Sequence, residues 1–272
     1  MNLYKAIETD SVKFRYSYIA KPNQDDFKMH THQECELFYF MSGKGIFHVE
    51  GTDYPLKQGD IAIMDNSESH YIELDCNYPY ERFVVHFDKQ YISKIDSEGK
   101  LLKIIEGRVP GKDNLFRKEH FSSNLYLMLI NNIIDGLDKN KIQAETNFFA
   151  LMNELLVASP NQSHNTDISN SSLINKIINY ILANLEKNFS LDDICNEFFI
   201  SKPQLCRMFK STMGATVGNY ITVKRLSAAK KMLESGDNPT KVYLKCGYSD
   251  YTNFYRAYKK FYGDSPTGRK HS

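Results

Sequence analysis

An internal repeat near the C-terminus restricts the fold more than any other feature of the chain. Residues 190–214, SLDDICNEFFISKPQLCRMFKSTMG, match residues 239–263, PTKVYLKCGYSDYTNFYRAYKKFYG, at an offset of 49. Leu205 pairs with Phe254, Arg207 with Arg256, Phe209 with Tyr258, Lys210 with Lys259 and Gly214 with Gly263. Self-similarity of this kind means one supersecondary unit used twice. Each copy reads as helix, tight turn, helix. Ser190 is placed to cap a first helix, with Asp193 three residues on, and Ser201 a second, with Gln204 at the same spacing. In the second copy Asn238 precedes a proline at the first helical position, and Ser249 is placed to cap the helix that follows.

A helix turns about 100° per residue, so the second helix of each copy divides into an inward and an outward face. Leu205, Met208 and Phe209 form the inward stripe of the first, and Tyr251, Phe254, Tyr258 and Phe261 that of the repeat. Pro203, Cys206, Arg207 and Lys210 point away, with Ser201, Lys202 and Gln204 at the N-terminal end. Thr252, Asn253, Tyr255, Arg256 and Lys259 hold the equivalent places, with Tyr251 at the start. Arginine forks onto a guanine edge, while lysine and serine hold phosphates. One such arginine is an ordinary surface cation; two Arg–x–x–Lys faces in two repeats argue for more. Charge agrees. The net +1 conceals 16 Lys+Arg against 8 Asp+Glu over residues 173–272, and 18 against 24 over residues 1–158. A basic module gains by releasing counterions from a polyanion.

The runs FISKPQLCRMFKSTMG, YITVKRLSAAKKML and KCGYSDYTNFYRAYKKFYGDSP together resemble the DNA-binding domain of the AraC/XylS family of transcription regulators. The resemblance implies two helix-turn-helix units whose recognition helices are held by a long linking helix, here Ala215–Ser235. They would enter successive major-groove segments of double-stranded DNA, about 34 Å apart. Two positions depart from the family pattern. Tyr243 stands where a small residue is usual, so the helix crossing must repack. Gly268 replaces an aromatic after Ser265–Pro266.

Residues 159–172, SPNQSHNTDISNSS, are dominated by Ser and Asn and read as a linker. Before them lie short runs rich in β-branched and aromatic residues at 12–19, 36–41, 45–50, 60–64, 70–74 and 82–87. Turn signals separate them at 42–45, 50–52 and 57–59. Regular short strands argue for a barrel or sandwich. Tyr126, Leu129, Ile130, Ile133 and Leu137 then fall at helical spacing, as do Phe148, Leu151, Met152 and Leu155. These two helices, joined near 138–141, either pack on the strands or offer a stripe to a second copy.

His30, His32 and Glu36, followed by Gly43, and then Gly59, Asp65 and His70, resemble the two cupin motifs. Asp65 and Ser67 stand where cupins often have Pro and Gly. The resemblance implies a small antiparallel barrel in which His30, His32, Glu36 and His70 face one cavity. Three uses of it are open. The side chains hydrogen-bond an organic effector, with Phe38 or Phe40 stacking on sugar faces; they hold a divalent metal such as Zn, Mn, Fe or Ni; or they bond only one another. Arg82 and His86, alternating on a later strand, line the same cavity if the register holds.

The expected architecture is therefore α+β with two domains. A cupin-like antiparallel β-barrel with two appended helices, residues 1–158, binds the effector and dimerises. A linker at 159–172 leads to an all-α domain with two helix-turn-helix units at 173–272. The expected function is a sequence-specific DNA-binding transcription regulator, not an enzyme, controlled by a small molecule. Family analogy makes that molecule a sugar, and adds a homodimer and RNA polymerase as a candidate partner. The alternatives are a metal-dependent cupin enzyme fused to a DNA-binding tail, or a barrel serving only assembly or a protein partner. No cofactor beyond the candidate metal is expected. Five scattered cysteines with no CxxC, no signal-peptide pattern and no apolar run of membrane length indicate a cytoplasmic protein.

Overall fold

A computed structural model describes residues 2–9, 11–30, 34–66, 68–106, 108–159, 173–213 and 215–267. Its contacts divide the chain into two units, Met1–Thr166 and Asp167–Ser272. Apart from Ser159, the expected linker lies outside the described residues, as do His32, Ser67, Gly214 and Gly268.

The first unit contains strands β1 (Leu3–Glu8), β2 (Val12–Ile19), β3 (Cys35–Ser42), β4 (Gly45–Val49), β5 (Thr52–Pro55), β6 (Ile61–Met64), β7 (His70–Leu74), β8 (Tyr80–Phe87) and β9 (Leu115–Phe116). Its helices are α1 (Lys89–Ile95), α2 (Leu125–Gly136) and α3 (Lys141–Ala158). Among the described residues the strands form two sheets with antiparallel pairing, ordered β1-β2-β8-β3-β6-β9 and β5-β4-β7.

The period-two alternation of strands assigns the two faces of the larger sheet. Leu37, Tyr39, Ile61, Ile63, Phe83, Val85 and Phe87 join one cluster with Tyr126, Leu129, Ile130 and Ile133 of α2 and Phe148, Leu151, Met152 and Leu155 of α3. Phe38, Phe40, Ala62, Met64 and Val84 face the other way, into a core shared with Phe47, Val49, Ile72 and Leu74 of the smaller sheet. Because both faces are covered, β3 reads CELFYFMS, a nearly continuous apolar run. The helical stripe that could have served a second copy is taken by the protein's own sheet. Glu50 and Gly51, with φ of 47° and 77°, make the turn between β4 and β5. Positive φ at both central residues is what a type I′ hairpin requires.

The second unit comprises α4 (Leu173–Ala183), α5 (Leu191–Glu197), α6 (Lys202–Met213), α7 (Val217–Glu234), α8 (Pro239–Lys245) and α9 (Tyr251–Tyr262). Ser190 and Asp193 form a full capping box on α5. Thr216 caps α7, so the linking helix begins two residues later than expected. Asn238 caps α8, with Pro239 at its first position.

The second helix-turn-helix and the inward stripes depart from expectation. Asp250, not Ser249, caps α9, its carboxylate accepting from Thr252 N at 3.0 Å and Asn253 N at 3.1 Å. The repeat also does not run at one offset. Caps and turn bonds pair Ser190 with Asn238, Ile194 with Val242 and Ile200 with Tyr248, an offset of 48, whereas Leu205 and Phe254 keep 49. The second turn therefore carries one extra residue. On this alignment Tyr243 stands opposite Cys195, and its ring meets Tyr251 edge-on at 5.6 Å. Phe261 is 37% exposed rather than buried, since Phe254 and Tyr258 complete the inward stripe of α9. Met208 and Tyr251 are only half-buried.

Candidate functional site

In the first unit the histidine region is assembled from both sheets. His30 and His70 hold each other through His30 N to His70 O at 3.1 Å and His70 N to His30 O at 3.0 Å, and their rings stand 4.7 Å apart. The Nδ1 of His30 lies 2.7 Å from the Lys28 carbonyl, and that of His70 lies 2.9 Å from the Glu68 carbonyl. A carbonyl only accepts, so Nδ1 carries a proton in each ring and the tautomer is fixed by the backbone.

Glu36 lies between the imidazoles. Its Oε2 is 3.4 Å from His70 Nε2 and 3.1 Å from His86 Nε2. Glu36 and His86 are register partners across β3 and β8, which settles the orientation of His86. One ligating atom each from His30, Glu36 and His70 lie within 4.8 Å of one another. Glu36, His70 and His86 are buried, and His30 is exposed. Burial works against a charge on His70, but the Glu36 carboxylate beside it, with the Glu68 carbonyl, turns its pKa upward.

Arg82 shares the face of Glu36 and His86, and its guanidinium lies 5.5 Å from the Phe27 ring and 5.6 Å from that of Tyr80. Phe38 stacks on Phe47 at 4.7 Å, and Phe47 in turn lies 5.7 Å from His70. Phe38 is thus one ring removed from the imidazoles. Sequence reasoning missed the carboxylate that supports this region. Glu68, buried, accepts from Arg108 Nη2 at 3.0 Å, Asn114 Nδ2 at 3.0 Å, Gly111 N at 2.8 Å and Asp65 N at 2.8 Å. Its position two residues before His70 was the only signal available.

In the second unit α6 buries Leu205, Phe209 and Met213, leaving Lys202, Pro203, Gln204, Cys206, Arg207 and Lys210 exposed. Ser201 Oγ accepts from Gln204 N at 3.4 Å. Lys202 pairs with Asp192 at 2.8 Å, an exposed pair of small net worth that a phosphate can displace. On α9 Thr252, Asn253, Arg256 and Lys259 are exposed, and the half-buried rings of Tyr251 and Tyr255 stand 6.2 Å apart. Backbone N–H groups of Thr252 and Asn253 hold the Asp250 carboxyl below the usual range. Each repeat thus presents a cationic strip of similar composition beside a capped helix start.

Two family descriptions match the chain in the order of its two units. An AraC-like ligand binding domain matches residues 15–105, and a helix-turn-helix domain matches residues 194–270. The chain is a DNA-binding transcription regulator with a ligand-binding N-terminal domain. It belongs to the AraC family. The raffinose operon transcriptional regulatory protein RafR of Pediococcus pentosaceus is 23% identical over 93% of this chain and 87% of its own. The HTH-type transcriptional activator RhaR of Escherichia coli K12 is 24% identical over 91% and 88%. The probable transcriptional regulator LumQ of Photobacterium leiognathi is 36% identical, but the match spans only 34% of this chain and 37% of LumQ. These relatives are regulators, and the chain is a regulator rather than an enzyme. No helix among the described residues is long and apolar enough to cross a membrane.

Proposed function

We propose that residues 1–158 form an effector-binding and dimerisation domain, joined by the linker at 159–172 to a DNA-binding domain at 173–272, and that the effector is a carbohydrate. The observation that carries this reading is the inner face that gathers Glu36, His86 and Arg82 opposite His70, with His30 bridged to it. A carboxylate accepts from sugar hydroxyls, while imidazole and guanidinium groups donate to them. RafR is named for a raffinose operon, which favours the same ligand class. The sugar acts by binding one arrangement of the regulator better than another. Ser201, Lys202, Pro203, Gln204, Cys206, Arg207 and Lys210 contact one groove segment, and Tyr251, Thr252, Asn253, Tyr255, Arg256 and Lys259 the next. The protein works in the cytoplasm, where its five free thiols are stable, as a homodimer on adjacent half-sites, with RNA polymerase as a further partner. A thermal-shift series with raffinose and its component sugars tests the effector class. A stabiliser of the wild type that has no effect on Glu36→Gln is expected. If no sugar stabilises the wild type, the carbohydrate reading falls.

A second reading of the same residues has its own support. His30 and His70 each give Nδ1 to a backbone carbonyl, the outer bond that orients a metal-ligating imidazole. With Glu36 they make a two-histidine, one-carboxylate set that fits a divalent ion. Such an ion would supply a fixed positive charge for effector oxygens. Metal analysis of purified wild type and His70→Ala decides. Stoichiometric metal lost in the variant supports the ion, and metal-free wild type excludes it.

A further inference from the structure

Arg225, midway along α7, is half-buried and touches both the segment that leads into the first helix-turn-helix and the turn of the second. Its Nε donates to the Leu185 carbonyl at 3.1 Å and its Nη2 to the Lys187 carbonyl at 2.7 Å. Both carbonyls belong to the segment joining α4 to α5. The same guanidinium lies 5.3 Å from the ring of Phe189, just before α5, and 5.8 Å from that of Tyr248, in the turn between α8 and α9. Tyr248 meets Phe254 of α9 at 5.4 Å. Gly247, next to it, has φ of +73°, and a Cβ there would stand 2.4 Å from the Leu185 carbonyl oxygen and 2.8 Å from Arg225 Nη2. The second turn therefore rests on the segment joining α4 to α5 and on the arginine at once.

The linking helix fixes only part of the geometry. Its 18 residues span about 27 Å, which sets separation along the axis but not the rotation of each unit about it. We infer that Arg225 is the positioning residue that sets this rotation. It ties the Leu185 and Lys187 carbonyls and the Gly247–Tyr248 turn to one point of α7, so that α6 and α9 meet their grooves in register. A guanidinium suits the task, because its edge donates to two carbonyls while its faces take aromatic rings. Lysine keeps the charge but cannot do both.

The inference rests on both α6 and α9 reading DNA, and the test separates the two claims. The full chain is titrated against a duplex that the wild type enriches from a randomised pool, and against the same duplex with two base pairs inserted between the two contacted segments. The insertion rotates one segment by about 70°, and the wild type is expected to lose about tenfold or more in affinity. Arg225→Lys is expected to bind the parent duplex about tenfold more weakly and to distinguish the two duplexes by less than about threefold. Wild-type affinity and a wild-type spacing penalty in Arg225→Lys would overturn the inference. A wild type indifferent to the insertion would instead remove the two-helix reading beneath it. If Arg225→Lys shows no cooperative melt, Tyr248→Leu decides from the other side of the contact: retained spacing discrimination overturns the inference, and its loss upholds it.

Discussion

Phe199 occupies the left-handed turn position that Gly247 fills in the second helix-turn-helix, with φ of 52° against 73°. Glycine takes that conformation freely, whereas a residue with a Cβ is strained in it. The phenylalanine also gains little from packing, being 95% exposed. Phe199→Gly is expected to stabilise the protein by about 1 kcal/mol, seen as a higher urea midpoint. An unchanged or lower midpoint would mean that the exposed ring contributes more than the turn strain costs.

Glu68 and Arg108 form a buried pair, their side chains 4% and 5% exposed. Removing one partner strands the other's charge, so Glu68→Ala is expected to cost roughly 3 kcal/mol in urea unfolding. The double variant Glu68→Met/Arg108→Met should recover only part of that loss, because neither charge is then buried while Gly111 N, Asn114 Nδ2 and Asp65 N still lose their acceptor. A double variant as unstable as the sum of the single ones would show that the pair does not act as a unit.

The Asp250 cap gives a pH dependence of known sign. Hydrogen bonds from Thr252 N and Asn253 N hold the carboxyl below its ordinary 3.8. A group whose folded pKa is depressed stabilises above the unfolded pKa, and that contribution is lost as pH falls through the lower folded value. The drop in Tm caused by Asp250→Ala should therefore be full at pH 6 and shrink progressively below about pH 4. A drop that stays constant from pH 6 to pH 3 would contradict the charged-cap account.

The sequence was most legible where covalent pattern and physical cause coincide. Ser190, Asp193, Asn238 and Pro239 mark helix starts by side-chain chemistry alone, and each does so in the fold. The helical stripes of α2 and α3 were visible for the same reason. What packed against them was not, because periodicity identifies an apolar face without its partner. The extra residue in the second turn was hidden because pairing Arg207 with Arg256 imposes one offset on two helices. Edge strand β1 and helix α1, short and partly exposed, carry too weak a pattern to separate from loop. On the inner face of the N-terminal unit, the register of β3 and β8 sets His86 beside Glu36, and Glu36 also lies 3.4 Å from His70. The bonds from Glu68 to Arg108, Gly111 and Asn114 join distant segments that no local pattern could connect.

We propose that sequence readout lies on the outward faces of α6 and α9, with Arg207 and Arg256 reading bases. A gel-shift titration of Arg207→Ala against the duplex enriched by the wild type tests it most directly. The account predicts at least about a tenfold loss of specific affinity and a relaxed preference at one base pair, with an unchanged thermal midpoint. Unchanged affinity together with unchanged sequence preference would contradict it.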